Sequence, residues 1–376
     1  MRARIETLVR RRPPTPRNGV YELYWLFAAR RHRAFEARLK GEPQPWSDDP
    51  ILQTFKFCNV FRALDRVSQF LIREVAYGTD AEITLHDRVF QIVAFRMFSN
   101  IRTWEELTRR LGGTPRIEHL RSGALLRKLD QIKEQFGGLY TGAFILCANK
   151  AFGFDEKHKN HEALFRHMFI EQGCAERVID APNLQALVAV LQSYPLMGPF
   201  MAYQTAIDLN YSELVSFSEN DYVQAGPGAM RGLKKAFVDL GDYSPAETIL
   251  WMVERQDQEF ARLGLEFTGL FGRPLYGIDC QGLFCELDKY CREAVPELAS
   301  ARRRIKARFK PSSSPIELFM PPKWGLAAGG TLPGVDALSP WATAKLSLAK
   351  SAGSQQNLDL FSDREDTVST RNSRSD

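Results

Sequence analysis

Apolar residues recur at three- and four-residue intervals along most of the chain, and no stretch alternates for long enough to predict a sheet. The first helical stretch runs from Val20 to about Leu39, with aromatic residues on one face and Arg30, Arg31, Arg33 and Arg38 on the other. Those arginines could touch phosphate, but the solvated face of an edge helix is the favoured reading. The pattern then predicts one long helix over 51–78. Phe57, Val60, Phe61, Leu64, Val67 and Leu71 form its apolar stripe, and Asn59, Arg62, Asp65, Arg66 and Gln69 an adjoining polar face that reads equally as local ion pairing or as a site. A helix over 83–99 carries Arg96 among apolar neighbours, and a buried arginine needs an anion, from the protein or from a ligand. Further helices are expected from a Thr103–Glu106 capping box to Gly112, over 120–136, near Thr141–Ala151, over 160–174, over 183–193 behind Asn183, and from Pro245 to about Leu263. The architecture predicted is all-α.

Breakers divide the pattern into a basic arm and helix (1–45), a helical domain (46–325) and a Gly-, Ser- and charge-rich tail (326–376) expected to be disordered. Within the domain, Glu-Leu-Phe-Met-Pro-Pro-Lys-Trp-Gly (317–325) reads as an apolar anchor, and the basic run at 302–310 as a helix end. A net charge of +5 permits an anionic partner without requiring one. The six scattered cysteines read as reduced, mostly buried thiols of an intracellular protein, and no apolar run approaches the roughly 20 residues that span a bilayer. His158, His161 and His167 do not have zinc-ligand spacing, and Cys280, Cys285 and Cys291 fit neither a zinc ribbon nor an iron–sulfur loop. Neither a metal nor a cofactor is expected.

The chemistry concentrates between Leu191 and Phe237. A tight turn, Tyr194-Pro195-Leu196-Met197-Gly198-Pro199, separates two apolar helical patterns. The acidic pair Glu219 and Asp221 follows, and then Gly226-Pro227-Gly228-Ala229-Met230-Arg231-Gly232, a small-residue turn entering a basic helix. Free amides at a helix start bind phosphate. A second dense segment, 276–290, offers Asp279, Glu286, Asp288 and Lys289. P-loop, dinucleotide-binding, nucleophile-elbow and deaminase signatures are absent from the sequence.

The 194–198 turn and the helix after it resemble the helix-hairpin-helix of DNA base-excision glycosylases, and Asp221 falls where that family carries its catalytic aspartate. Leu196 stands in place of the first hairpin glycine, no lysine occupies the hairpin, and Gly226-Pro227-Gly228 has no glycosylase counterpart. A broader resemblance covers roughly residues 50–325. The runs FCNVFRALDRVSQFL, FRMFSNIRTWEEL, YTGAFILCAN, PLMGPFMAYQTAIDL, VQAGPGAMRGL and ELDKYCR are similar to the 5-hydroxymethyluracil DNA kinase helical-domain family, which includes the α-glutamyl/putrescinyl thymine pyrophosphorylases.

That resemblance implies a role in thymine hypermodification, in which an amine or amino acid displaces pyrophosphate from an activated 5-hydroxymethyluracil in DNA. The implied partners are double-stranded DNA with modified thymine, a small amine or amino-acid donor and a separate DNA-base kinase. Such a reaction needs N–H or cationic groups on the leaving phosphates and a carboxylate for the incoming amine. Arg62, Arg66, Arg96 and Arg231, with the amides of Gly226 and Gly228, are candidates for the first. Asp221, Asp65 and Asp288 are candidates for the second, and Asn59, Gly198 and Lys289 for further DNA or phosphate contact. Three rivals stay open: a glycosylase using Asp221, a non-catalytic DNA-binding helical module, and a helical protein in which the glycine-rich segment is only a turn.

Overall fold

Caps and breakers set most helix ends in the computed structural model, which describes residues 11–80, 82–141, 150–298, 304–305, 307–311 and 316–326. The first 141 residues hold α1 (Val20–Leu39), α2 (Pro50–Thr54), α3 (Arg66–Phe70), α4 (Leu85–Phe98), α5 (Ile101–Leu111), α6 (Ile117–Arg121) and α7 (Ala124–Phe136). Then follow α8 (Lys157–Arg166), α9 (Cys174–Ile179), α10 (Leu184–Gln192), α11 (Pro199–Tyr211), α12 (Pro227–Ala236), α13 (Pro245–Arg262) and α14 (Gly277–Ala294). The fold is all-α apart from one small antiparallel ribbon, β1 (Thr15–Pro16) against β2 (Phe237–Asp239). The expected helix near Thr141–Ala151, Cys147, and the tail from 327 onward lie outside the described residues.

Three helices form the interior. Every residue of α4 from Val89 to Phe98 is buried, as is every residue of α11 from Met201 to Tyr211, and α14 is buried over most of its length. A helix enclosed on all sides must satisfy its polar groups within the protein. Within this core α4 lies against α11, and other helices wrap it: α10 lies against α11, while α1, α12 and α13 lie against α14. The 317–325 anchor docks as expected. Leu318, Phe319 and Met320 are buried, the Gln69 side chain accepts from Phe319 N–H at 2.9 Å, and Lys323 Nζ donates to the Ser212 and Val215 carbonyls.

The sequence pattern fails in informative places. The long helix predicted over 51–78 is broken into α2, an irregular stretch, a 3-10 turn over Arg62–Leu64, α3 and a π-helical turn over Leu71–Ala76. Its amides are taken by side chains instead of by the preceding turn. Cys58 N–H donates to Glu286 Oε2 at 3.0 Å, Asn59 N–H to Asp65 Oδ1 at 2.9 Å and Arg62 N–H to Asp279 Oδ1 at 3.0 Å. The basic run at 302–310 is not a helix end where it is described: Lys56 N–H donates to Ala307 O and Phe309 N–H to Thr54 O, an extended pairing. Helix α5 is capped by Asn100, whose side chain accepts from Thr103 N–H, and the Thr103 hydroxyl is diverted to the Leu139 carbonyl. Gly123, at φ 68°, splits 117–136 into α6 and α7.

The three histidines at 158–167 do not converge. His158 pairs with Asp130, His161 lies 3.0 Å from the Tyr140 hydroxyl and His167 pairs with Glu171. Among the described residues no group of three or more His, Cys, Asp or Glu is arranged to hold a metal ion. Burial, with help from Lys157, pushes the His161 imidazole down from its ordinary 6.5 to about 3. The unfolded chain therefore binds the proton first, and this contribution to stability is full above pH 6.5 and lost as pH falls toward 3. In chemical denaturation at stepped pH, His161→Gln is expected to remove that part of the acid destabilisation.

Candidate functional site

Asp208, fully buried on α11, is the anion that Arg96 requires. Arg96 of α4 grips it with two guanidinium nitrogens, one of them, Nη2, 2.9 Å from Oδ1. Arg62 reaches the same carboxylate from the other side, its Nη2 2.7 Å from Oδ1, and its Nε donates to Gln204 Oε1 at 2.9 Å. Burial works against the Arg62 charge, but Asp208 beside it holds the guanidinium well above its ordinary range. Arg62 Nη1 is buried without a hydrogen-bond partner. Through its backbone amide Arg62 also joins a second buried network, in which Arg273 bridges Glu219 at 2.8 Å and Asp279 at 3.2 Å. Burial raises both of those carboxyls.

The irregular stretch 55–61 carries the chain from these networks to a concave floor between α1 and α14. Arg31 turns inward from α1, its Nη2 donating to Asn59 Oδ1 at 2.6 Å and its Nε to Cys58 O at 3.1 Å. From α14, Glu286 accepts from Cys58 N–H, and Lys289 Nζ lies 2.9 Å from Glu286 Oε2 and 4.4 Å from the centre of the Phe57 ring. Asp65 faces Glu286, Arg31 and Arg62. Desolvation is the largest influence on it, and its pKa rises from 3.8 to about 6. Cys58 is exposed to solvent, yet desolvation pushes its thiol well up, and Asp65 is only half-buried with the same dominant cause. Solvent thus reaches the floor of this cleft between α1 and α14 at Cys58 and Asp65. A cavity of about 380 Å³ adjoins it, with Arg31 and Asn59 in its wall.

The structure thus brings Asn59, Arg62, Asp65 and Lys289 to one region, joins Arg96 to it through the Asp208 carboxylate that Arg62 shares, and places Asp288, Arg231, Arg66 and Asp221 outside these contacts. Asp288 is buried against α12, engaged by Arg231 at 3.0 Å, Lys235 at 3.0 Å and Arg292 at 3.0 Å, and these cations hold its carboxyl low despite burial. Arg231 therefore already has a protein anion. Arg66 lies near Glu105. Asp221 is exposed on the loop before α12, its amide donating to Ser218 O, and makes none of the cleft contacts.

The glycines of 226–232 have a packing reason. A Cβ on Gly226 would stand 2.5 Å from the Phe200 ring, one on Gly228 2.3 Å from Cys285 Sγ, and one on Gly232 2.0 Å from the Phe284 carbonyl oxygen. Gly232→Ala meets α14 backbone that cannot yield, so overpacking is expected to cost about 1–3 kcal/mol, read as a lowered denaturation midpoint with an unchanged slope. Neither α11 nor α12 has a side-chain cap. Both begin Gly-Pro, after Gly198 and Gly226, and the Phe200–Gly226 contact sets their starts side by side. The α10–α11 hairpin holds Leu196 at φ 64°, a left-handed conformation that glycine adopts far more readily.

Arg31 and Glu286 were not singled out as site residues by sequence reasoning. Arg31 sits in a row of arginines that reads as solvated, but Arg30 pairs with Asp49 at 3.3 Å, Arg31 points inward, and of the four only Arg33 is exposed. The available signal was the helical phase: Arg31 is four residues from Phe27 and Phe35, both buried.

The model of the "5-hmdU DNA kinase, helical domain" family matches residues 18–300, a span that contains all of these networks. A 5-hmdU DNA kinase of Bacillus phage SP10 is 26% identical over 298 residues, covering 74% of this chain and 46% of the phage protein. The chain thus spans about half the length of that relative. No solved structure matches, and no helix among the described residues is long and apolar enough to cross a membrane. With three-quarters of its length matched by the family model and its relative, the chain belongs to the 5-hmdU DNA kinase helical-domain family.

Proposed function

We propose that this domain acts on double-stranded DNA in 5-hydroxymethyluracil modification, as a transferase that replaces pyrophosphate on an activated base with an amine or amino acid. The phage relative's name supplies the substrate class. The observation that carries the chemistry is the half-buried Asp65, with a pKa near 6, among Arg31, Arg62 and Lys289 on a floor that solvent reaches. In the reaction the amine nitrogen attacks the methylene carbon attached to C5 of the base, the C–O bond breaks, and pyrophosphate leaves with the bonding pair. Asp65 accepts the proton released from the amine, and a carboxylate of raised pKa is a stronger base than an ordinary one. Arg31 and Lys289 neutralise the departing pyrophosphate, and Arg62, locked by Asp208 and Asp279, positions the segment that carries Asp65. The paired, uncapped starts of α11 and α12 at Gly198 and Gly226 are assigned to DNA phosphates. A separate kinase supplies the activated base.

A second reading is favoured by the Leu196 conformation in the α10–α11 hairpin: a glycosylase-like enzyme in which Asp221, exposed on the following loop, faces the sugar. One experiment separates the two. The protein is incubated with DNA carrying pyrophosphorylated 5-hydroxymethyluracil and a mixture of amines, and the nucleosides are analysed by mass. An amine adduct is expected. An abasic product overturns the transferase in favour of the glycosylase, and unchanged DNA that nevertheless binds at low salt reduces the domain to a binding module.

A further inference from the structure

The basic run Arg302–Lys310 plays no part in the reaction above. Six of its nine residues are Lys or Arg, and no Asp or Glu occurs from Leu298 to Ile316. Where it is described it is extended, with Phe55 and Arg308 bridged antiparallel and Phe309 N–H donating to Thr54 O at 3.0 Å. Side chains alternate across a strand. Ile305 is buried and the Phe309 ring turns to Trp46, their centres 6.4 Å apart, while Arg304, Arg308 and Lys310 are exposed. The Arg308 guanidinium lies over the Phe55 ring at 5.0 Å, which orders it and still leaves it in solvent. Among the described residues, Arg304, Arg308 and Lys310 form no ion pair. Glu293, which approaches the run, accepts from the Ile305 amide at 3.5 Å. Elsewhere on the surface Arg116, Lys150 and Arg262 are answered by Glu82, Asp155 and Glu22. A row of like charges repels itself, and an extended polyanion relieves that repulsion.

The place of the strand favours one polyanion. Contacts lead from the start of α12 across the cleft floor to it. Gly228 packs on Cys285, the next residue Glu286 accepts from Cys58 N–H, and the 54–56 segment that pairs with the strand runs directly into Phe57 and Cys58. A ligand held at both ends of this path crosses the cleft, which calls for a long, evenly charged one. We propose that the 304–310 strand holds the phosphate backbone of duplex DNA, with Arg304, Arg308 and Lys310 each neutralising a phosphate beside the cleft. This rests on the part of the reading above that makes DNA the substrate, and not on the chemistry assigned to Asp65. Such contacts carry no sequence information and fix the position of the duplex on the protein. Guanidinium groups suit the task because they meet phosphate oxygens through two parallel N–H bonds.

The test uses the full chain and an unmodified, fluorescently labelled duplex, with binding followed by anisotropy at stepped salt. The slope of log affinity against log salt changes by about 0.9 for each phosphate neutralised. Replacing Arg304→Gln, Arg308→Gln and Lys310→Gln together should make that slope shallower by about 2–3 and weaken binding roughly 10–10²-fold at about 0.1 M salt. Lys310→Gln alone, away from the Phe55 stack, should change it by about 0.9, and Arg308→Lys with Lys310→Arg should keep it. Arg109→Gln, Arg121→Gln and Lys128→Gln together remove the same charge from α5, α6 and α7 and should leave the slope nearly as in wild type. The slope does not depend on the fraction of active protein, and melting temperatures near wild type show that the variants fold. If wild type binds the duplex and the strand variants keep its slope, the strand assignment fails and the DNA reading stands. An equal change in the α5–α7 variant reduces the effect to net charge and also overturns the assignment. If wild type fails to bind duplex even at low salt, the assignment and the DNA reading fall together.

Discussion

Asp208→Ala should melt roughly 6–20 °C below wild type. The substitution leaves Arg62 and Arg96 buried without their shared anion, and breaking a buried pair from one side costs about 3–5 kcal/mol. At roughly 2–4 °C per kcal/mol for a domain of this size, calorimetry resolves it easily. Asp208→Asn keeps the shape and the acceptor oxygen but not the charge, so it should fall between. Asp155→Ala, which removes the exposed partner of Lys150, is the control and should leave the melting temperature unchanged. A small shift in Asp208→Ala would mean that the arginines find another anion, and the central role given to α11 would be wrong.

Asp65→Asn should lower kcat for amine transfer by about 10²–10⁴ while leaving KM for the modified DNA nearly unchanged. Asparagine still offers an oxygen to the Asn59 amide, so the segment keeps its course. In wild type the rate should climb with pH up to about 6, where Asp65 ionises, and then flatten; the variant should lack that limb. Stability moves the opposite way. The folded carboxyl titrates above its ordinary 3.8, so its contribution is full below that value and lost as pH rises through about 6. Asp65→Asn should therefore be no less stable than wild type at pH 7, which separates a chemical role from a structural one. A kcat within threefold of wild type would remove Asp65 from the proposed reaction.

Sequence reading recovered the all-α class and several helix limits because those depend on local features. Val20–Leu39 has one unbroken phase, Asn183 and Ser244 are caps, and Pro245 opens a helix. The demand that Arg96 find an anion was also legible, since burial followed from its neighbours; which anion was not, because Asp208 lies 112 positions away. The failure over 51–78 has the same origin. Its residues have helical periodicity, but its amides are claimed by Glu286 and Asp279, acids more than 200 positions distant. Nothing local distinguishes a polar helix face from a segment held open by remote carboxylates. The glycines of 226–232 suggested a phosphate loop, and only the approach of Phe200, Cys285 and Phe284 gives each of them a packing reason.

The extended pairing of 54–56 with 307–309, together with the grip of Gln69 on Phe319, has a consequence for the order of assembly. Both contacts close loops of about 250 residues, and loops of that length form only after much of the intervening chain has condensed. The interior helices α4 and α11 are close in sequence to much of what they pack against, whereas one side of the cleft waits for the last described segment to arrive. During synthesis the helical interior can therefore form first, with the cavity beside Arg31 and Asn59 closed only when Phe309 reaches Trp46.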